Sequence, residues 1–169
     1  MKHSKLVWLS LFCWLYAVGL FAQGQFAGPK SRTLIGTKYN QGPELPGLTG
    51  YEYRESGLAF GITEPEQFSV TVFQNGPTYI VFFAINEDTT TNDYTILDVL
   101  LIKKVKSNQV IKTLLCRQQK TIDEAIVAVT QPGNNEYSRA VKAWRFNRDK
   151  RRFELINIKD IDCLNEGDD

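Results

Sequence analysis

The sequence predicts a mainly β protein: an antiparallel sheet, sandwich or barrel of short strands behind an irregular N-terminal arm. Three observations support this class. Runs rich in β-branched and aromatic residues recur about every 10 to 15 residues, turn-forming residues separate them, and no repeat, heptad or long amphipathic helix is present. The alternative is an α+β fold, because Tyr137, Val141 and Trp144 can share one face of a short helix that ends near Lys142.

Residues 1–22 have the layout of a secretory signal peptide, with a short basic start (Lys2, His3, Lys5) before an apolar run that ends at Ala22. The run is at the short limit for a membrane span, which favours a cleaved signal over a transmembrane anchor. We therefore expect a periplasmic or secreted protein whose mature chain has no transmembrane segment.

Removal of this leader changes the composition in a way that restricts function. The leader holds the only histidine and two of the 20 basic residues, so 18 basic and 19 acidic residues remain and the net charge becomes −1. Without histidine, the usual Ser-His-Asp and Cys-His systems and the commonest metal ligand are missing. We expect no catalytic residue, cofactor or metal site of these kinds, and a near-neutral chain is not expected to bind nucleic acid.

Residues 23–50 are rich in Gly, Pro, Asn and Gln, which predicts an extended or partly disordered arm, with one short strand at 33–39 on a sheet edge. Residues 51–169 are then expected to form a single β-rich domain. Its first strand-like pieces show alternation from Tyr51 to Ile62 and are expected to break at Gly57.

The clearest local pattern is a hairpin in which Asn75-Gly76 joins the alternating run 68–72 to the run 78–85. Residues 79–85 are apolar at both odd and even positions, which predicts a central strand covered on two faces. Further strands are expected at the following runs of residues: 94–102, 110–116, 125–130, 138–147 and 152–158.

Cys116 and Cys163 are the only cysteines after the leader, and paired cysteines are the rule in an oxidising compartment. We expect a disulfide between them, and two buried free thiols are the alternative. Such a bond would make the segment between them the structural centre of the C-terminal half.

A basic hairpin with aromatic neighbours is the candidate partner-binding surface. The partner is expected to be an unknown protein or an anionic glycan or lipid surface, while the alternative is a turn kept soluble and protected from edge pairing by its charges. The candidate residues are Trp144, Arg145, Arg148, Lys150, Arg151 and Arg152.

Several carboxylates are weaker candidates. Asp98 interrupts an apolar strand and needs a partner if it is buried, for which Arg117, Arg139 and Arg145 are the arginines considered, while solvent exposure is the alternative. The oxygen-rich run 87–93 lacks the spacing of a calcium loop and is interpreted as a polar turn. An enzyme that acts on carbohydrate would need two carboxylates as an acid–base pair. The candidates for this pair are Asp98, Glu52, Glu55, Glu64 and Glu66.

The segments Leu115-Cys116-Arg117, Ala143-Trp144-Arg145 and Cys163-Leu164-Asn165-Glu166-Gly167 resemble a pattern found in small exported proteins of Gram-negative bacteria. The resemblance covers about the last 70 residues. It implies that the two cysteines belong together, and it carries no catalytic or binding residue to transfer.

These observations favour an exported, non-enzymatic binding domain, one version of which is an inhibitor of a foreign hydrolase or an immunity-type protein. One alternative is a carboxylate-based enzyme that acts on carbohydrate. The other alternative is a structural domain associated with the cell envelope.

Overall fold

The computed structural model describes residues 32–40, 45, 48–60, 66–88 and 90–165, so the signal peptide predicted at residues 1–22 lies outside the described residues. The mainly β prediction is confirmed. The described residues form twelve strands, which are β1 (Lys38–Asn40), β2 (Glu52–Ala59), β3 (Gln67–Asn75), β4 (Thr78–Asn86), β5 (Asp93–Ile102), β6 (Val110–Thr113), β7 (Cys116–Gln118), β8 (Thr121–Ile122), β9 (Ile126–Thr130), β10 (Tyr137–Asn147), β11 (Arg152–Leu155) and β12 (Ile161–Leu164).

The strands form two antiparallel sheets. Sheet one has the order β1-β5-β4-β3-β2, and sheet two has the order β6-β9-β10-β12-β7-β8 with β11 paired to β10. The expected hairpin is present: β3 pairs with β4 from Gln67↔Asn86 to Asn75↔Thr78, and Gly76 in the turn has a φ of 52°. A positive φ is the conformation in which glycine is favoured.

β4 is the central strand of sheet one, as predicted, and its alternate residues enter two different cores. Val81, Phe83 and Ile85 belong to the cluster between the two sheets, together with Trp144 and Phe146 of sheet two. The intervening residues Ile80, Phe82 and Ala84 face the other side of sheet one. This double burial explains why the strand is apolar at every position.

The described residues of the N-terminal arm cover that other side of sheet one. Leu34, Tyr39, Leu45 and Leu48 are all buried in the second cluster, where they pack against residues such as Phe82. The short edge strand expected at 33–39 is β1, which lies at the end of that range and pairs with β5 through Lys38↔Thr95 and the two following positions. The described part of the arm is therefore a packed layer of the fold.

The strands differ from the prediction in several places: β11 ends at Leu155 and not at Ile158, β8 and β12 were not predicted, and two further differences have a local cause. β2 continues through Gly57, which pairs with Val70. A glycine suits this position because the side chain of Leu114 lies against it and occupies the space that a Cβ would need. The single strand expected at 110–116 is divided into β6 and β7, because Leu114 adopts a φ of 62° and turns the chain between them.

The helical alternative for residues 137–142 is wrong. Residues Tyr137–Asn147 form β10, the longest strand, which pairs with β9, β11 and β12. A shift in register between Ala140 and Lys142 marks a β-bulge that leaves Val141 exposed. Such bulges increase strand twist, which helps sheet two to curl over its own outer face.

The curled part of sheet two encloses a third, smaller cluster that contains the cysteines. Cys116 in β7 lies directly opposite Cys163 in β12, and their sulfur atoms are 2.08 Å apart, at disulfide-bond distance. Both residues are fully buried beside Ile126 and Ala143. Within the described part of the chain, no helix has the length and apolar character needed to cross a membrane.

Candidate functional site

The basic hairpin predicted from the sequence is formed by β10, β11 and the turn between them. Its base lies in the main core, because Phe146 pairs with Phe153 and stacks on Phe83 with ring centroids 3.5 Å apart. In the turn, the side-chain oxygen of Asn147 accepts the backbone N–H of Lys150 at 3.0 Å. The hairpin therefore projects its charged residues from a rigid aromatic base.

Trp144 is not part of the exposed surface, which corrects the prediction that placed it there. Its side chain is only 2% exposed and packs in the cluster between the two sheets. The reason is the strand periodicity of two: Trp144 and Phe146 point towards sheet one, so the residue between them points the other way. The ammonium group of Lys142 lies 4.9 Å from the indole ring.

Arg145, the residue between them, is held by polar partners on neighbouring segments. Its guanidinium forms an ion pair with Asp123 at 2.6 Å and donates a hydrogen bond to Gln118, also at 2.6 Å. Half-buried pairs of this kind fix one strand against another, so Arg145 is engaged within the fold.

Arg148 lies at the start of the turn, against two aromatic rings. Its guanidinium carbon is 4.8 Å from the ring of Phe60 and 4.9 Å from the ring of Phe68. Stacking on an aromatic face is a favourable position for arginine. Phe60 has a φ of 68° and donates its backbone N–H to the carboxylate of Glu124, so its ring is held in place beneath Arg148.

The tip of the hairpin consists of Lys150, Arg151 and Arg152, whose side chains are 55%, 53% and 60% exposed. Lys150 and Arg152 both bond to Glu154, at 2.9 Å and 3.1 Å. Hydrogen bonds from Lys150, Asn147 and Arg152 lower the pKa of Glu154 to about 2, so this carboxylate stays ionised at neutral pH. The hairpin tip is therefore a partly compensated basic surface.

A cleft of about 490 Å³ lies beside the hairpin tip. The charged residues that line it include Asp123, Arg145, Arg148 and Glu154, and Phe60 closes one side. Because charges of both signs line it, the cleft offers hydrogen bonds to a polar group more than attraction for one sign of charge. Sequence reasoning missed Asp123 and Phe60, since each lies more than twenty residues from its arginine along the chain.

Asp98 is a structural residue between the sheets, and its partners differ from the arginines that were expected. Its carboxylate accepts the backbone N–H groups of Val99 at 2.8 Å and Phe153 at 2.6 Å. The second bond occupies a backbone donor of β11 and joins this edge of sheet two to sheet one. Burial raises the pKa of Asp98, although these hydrogen bonds lower it in part.

The structure describes three of the other four candidate carboxylates, of which Glu66 is half-buried just before β3. Glu55 accepts the hydroxyl of Thr113 at 2.8 Å, Glu52 is exposed at the start of β2, and Glu64 lies outside the described residues. Asp88 accepts both the backbone N–H and the hydroxyl of Thr90, as in a polar turn. Across the described ranges, no three His, Cys, Asp or Glu side chains are grouped as a metal site.

Of the described residues that carry the sequence resemblance, Cys116, Ala143 and Cys163 share the third cluster, whereas Trp144 lies in the core between the sheets. Beside Cys163, Asp162 bonds to Arg117, whose guanidinium lies 3.4 Å from the ring centroid of Tyr137. Asn165 accepts the hydroxyl of Ser138 at 2.6 Å and so ties the last described residue to β10. These contacts give the pattern a structural reason, and membership of such a group of exported proteins stays a prediction.

No protein-family model, curated protein or solved structure matches this chain.

Proposed function

We propose that this chain is an exported, non-enzymatic binding domain and that the hairpin tip, Lys150 with Arg151 and Arg152, is its contact surface. The observation that carries the proposal is the combination of three half-exposed cations with a base fixed in the aromatic core. Exposed basic groups on a rigid support lose little conformational freedom on binding, which favours association with an acidic surface.

The charges within the hairpin support a protein partner of acidic character. Glu154 bonds to both Lys150 and Arg152, and among the described residues the carboxylate paired with Arg151 is the distant Glu87, at 4.0 Å. Carboxylates of an acidic partner would take the place of Glu87 beside Arg151, and they would also contact Lys150 and Arg152. An inhibitor or immunity-type role is the specific form of this proposal, and a purely structural role in the envelope is its alternative.

The test is a comparison of binding partners recovered from a periplasmic extract. The chain from Gln23 onward serves as bait, alongside a tip variant (Lys150→Gln, Arg151→Gln and Arg152→Gln). The matched control removes the same charge from another exposed loop (Lys103→Gln, Lys104→Gln and Lys106→Gln). Arg148 is left unchanged because it packs on two core rings.

A protein that is recovered by the wild type and the control but lost from the tip variant supports the hairpin as the contact. Its recovery should also decrease as salt rises, because exposed charges are screened. If the tip variant recovers every partner as well as the control does, the hairpin is not the contact surface.

A further inference from the structure

A second basic surface lies in a groove of about 710 Å³ on sheet two, and none of its residues belongs to the hairpin tip. The groove is bounded by the β7–β8 turn, the start of β10 and the segment that leads into β12. Its walls include Gln119, Lys120, Arg139, Ile158, Lys159 and Asp160.

Tertiary structure brings these distant segments together. β12 pairs with β7 through Ile161↔Gln118, and the backbone N–H of Gln119 donates to the carbonyl of Asp160 at 3.0 Å. These bonds place the β7–β8 turn beside residues 158–161. β12 also pairs with the start of β10 through Arg139↔Asp162. Three cations from three parts of the chain therefore line one groove.

These cations differ from most other basic residues of sheet two because they have no carboxylate partner. The side chains of Lys120, Arg139 and Lys159 are exposed, and none of these side chains forms a hydrogen bond or ion pair within the described chain. Asp162 also lines the groove but is already paired with Arg117. Asp160 is then the single unpaired carboxylate against three cations, so the groove carries an excess of positive charge.

The backbone around the groove adopts a conformation that side-chain-bearing residues rarely take. Gln119, Lys120 and Asp160 have φ angles of 51°, 68° and 62°. A two-residue hairpin turn with both φ angles positive usually contains Asn-Gly, whereas Gln119-Lys120 occupies it here. Unfavourable backbone of this kind is concentrated at ligand sites, and here it holds Lys120 at the rim of the groove.

We propose that this groove binds a phosphate-bearing ligand with at least two negative charges. A guanidinium fork and two ammonium groups suit phosphate oxygens, and several cations without partners gain most from a multiply charged anion. Ile158 is 41% exposed at the groove and offers an apolar wall to the rest of the ligand. The ligand is either a free phosphate compound or the headgroup of a lipid.

The test measures binding of two probes to the chain from Gln23 onward. Inorganic pyrophosphate is titrated by calorimetry, and phosphatidylcholine vesicles with and without phosphatidic acid are sedimented with the protein. The groove variant carries Lys120→Gln, Arg139→Gln and Lys159→Gln. Two charge-matched controls are used, which are the hairpin-tip variant and the variant in which Lys103, Lys104 and Lys106 are changed to Gln. With these controls, this proposal and the hairpin proposal can fail separately.

We expect the wild type to bind pyrophosphate, phosphatidic acid vesicles, or both. Each cation that is removed should lower the affinity roughly tenfold, which is the contribution of one charge-assisted hydrogen bond. Binding of both probes indicates a free phosphate group as sufficient ligand, whereas binding of vesicles alone assigns the groove to a lipid headgroup. The proposal is overturned if the wild type binds neither probe. It is equally overturned if the groove variant binds as well as the controls do.

Discussion

Loss of the Cys116–Cys163 bond is expected to lower the free energy of unfolding by about 4 kcal/mol. The bond closes a loop with a sequence separation of 47 residues. In the chain-entropy treatment, a cross-link over a loop of this length lowers the conformational entropy of the unfolded state and so raises its free energy by about 4 kcal/mol. Since the unfolded state regains this freedom on reduction, the folded state loses stability without any change in its own contacts.

Reduction and substitution test different parts of this effect. A non-thiol reductant breaks the bond but leaves both sulfur atoms in the third cluster, where Cys116 and Cys163 are fully buried. The double variant Cys116→Ala and Cys163→Ala also removes those sulfur atoms. It should therefore be destabilised by somewhat more than reduction alone, because small cavities remain.

Urea unfolding followed by the fluorescence of Trp144 is a suitable assay, because Trp144 is the only tryptophan after residue 22 and is buried in the main core. The reductant should have no effect on the double alanine variant, which serves as its control. A change below about 1 kcal/mol on reduction would refute the loop argument. Two titratable thiols in denatured, unreduced protein would show that the bond is absent.

Two further predictions concern the arm and the joint between the sheets. Leu48→Ala should cost about 2–4 kcal/mol, because Leu48 is buried against sheet one, whereas Ile35→Ala in the same arm should cost less than about 0.5 kcal/mol; equal effects in urea unfolding would contradict a packed arm. Asp98→Ala should cost roughly 1–3 kcal/mol for each buried N–H left without an acceptor. Because burial raises the pKa of Asp98, the folded state binds its proton more tightly, so the stability from this group falls as pH rises from about 4 towards the raised pKa. The destabilisation by Asp98→Ala should accordingly be larger at the acid end of this range than at neutral pH, and a difference that stays constant with pH would contradict it.

Local pattern was sufficient to predict most strands. The alternation in β3, the Asn75-Gly76 turn and the doubly apolar β4 each depend on neighbours within a few residues, so the sequence records them directly. The break at Leu114 was missed because its positive φ is imposed by the surrounding sheets and is uncommon for leucine.

The candidate surface was predicted less completely than the fold. The sequence places aromatic and basic residues next to one another, but strand periodicity sends Trp144 into the core and leaves the following tip residues outside. The sequence pattern assigned Arg145 to the surface. In the structure, Asp123, which lies 22 residues away along the chain, bonds to Arg145 and holds it within the fold. The groove around Lys120 was not predicted, because its cations meet only through the pairing of β7 and β12.

The β class, the central hairpin and the two cysteines available for pairing could be predicted from the amino-acid sequence, because they follow from local periodicity, turn chemistry and residue inventory. Only the folded arrangement placed Leu34, Tyr39, Leu45 and Leu48 of the arm on sheet one and brought the carboxylate of Asp98 to backbone amides. It also decided which cations keep a carboxylate partner. The physical reason is the same in each case: burial and charge pairing depend on which faces meet, and those faces come from segments that are distant along the chain.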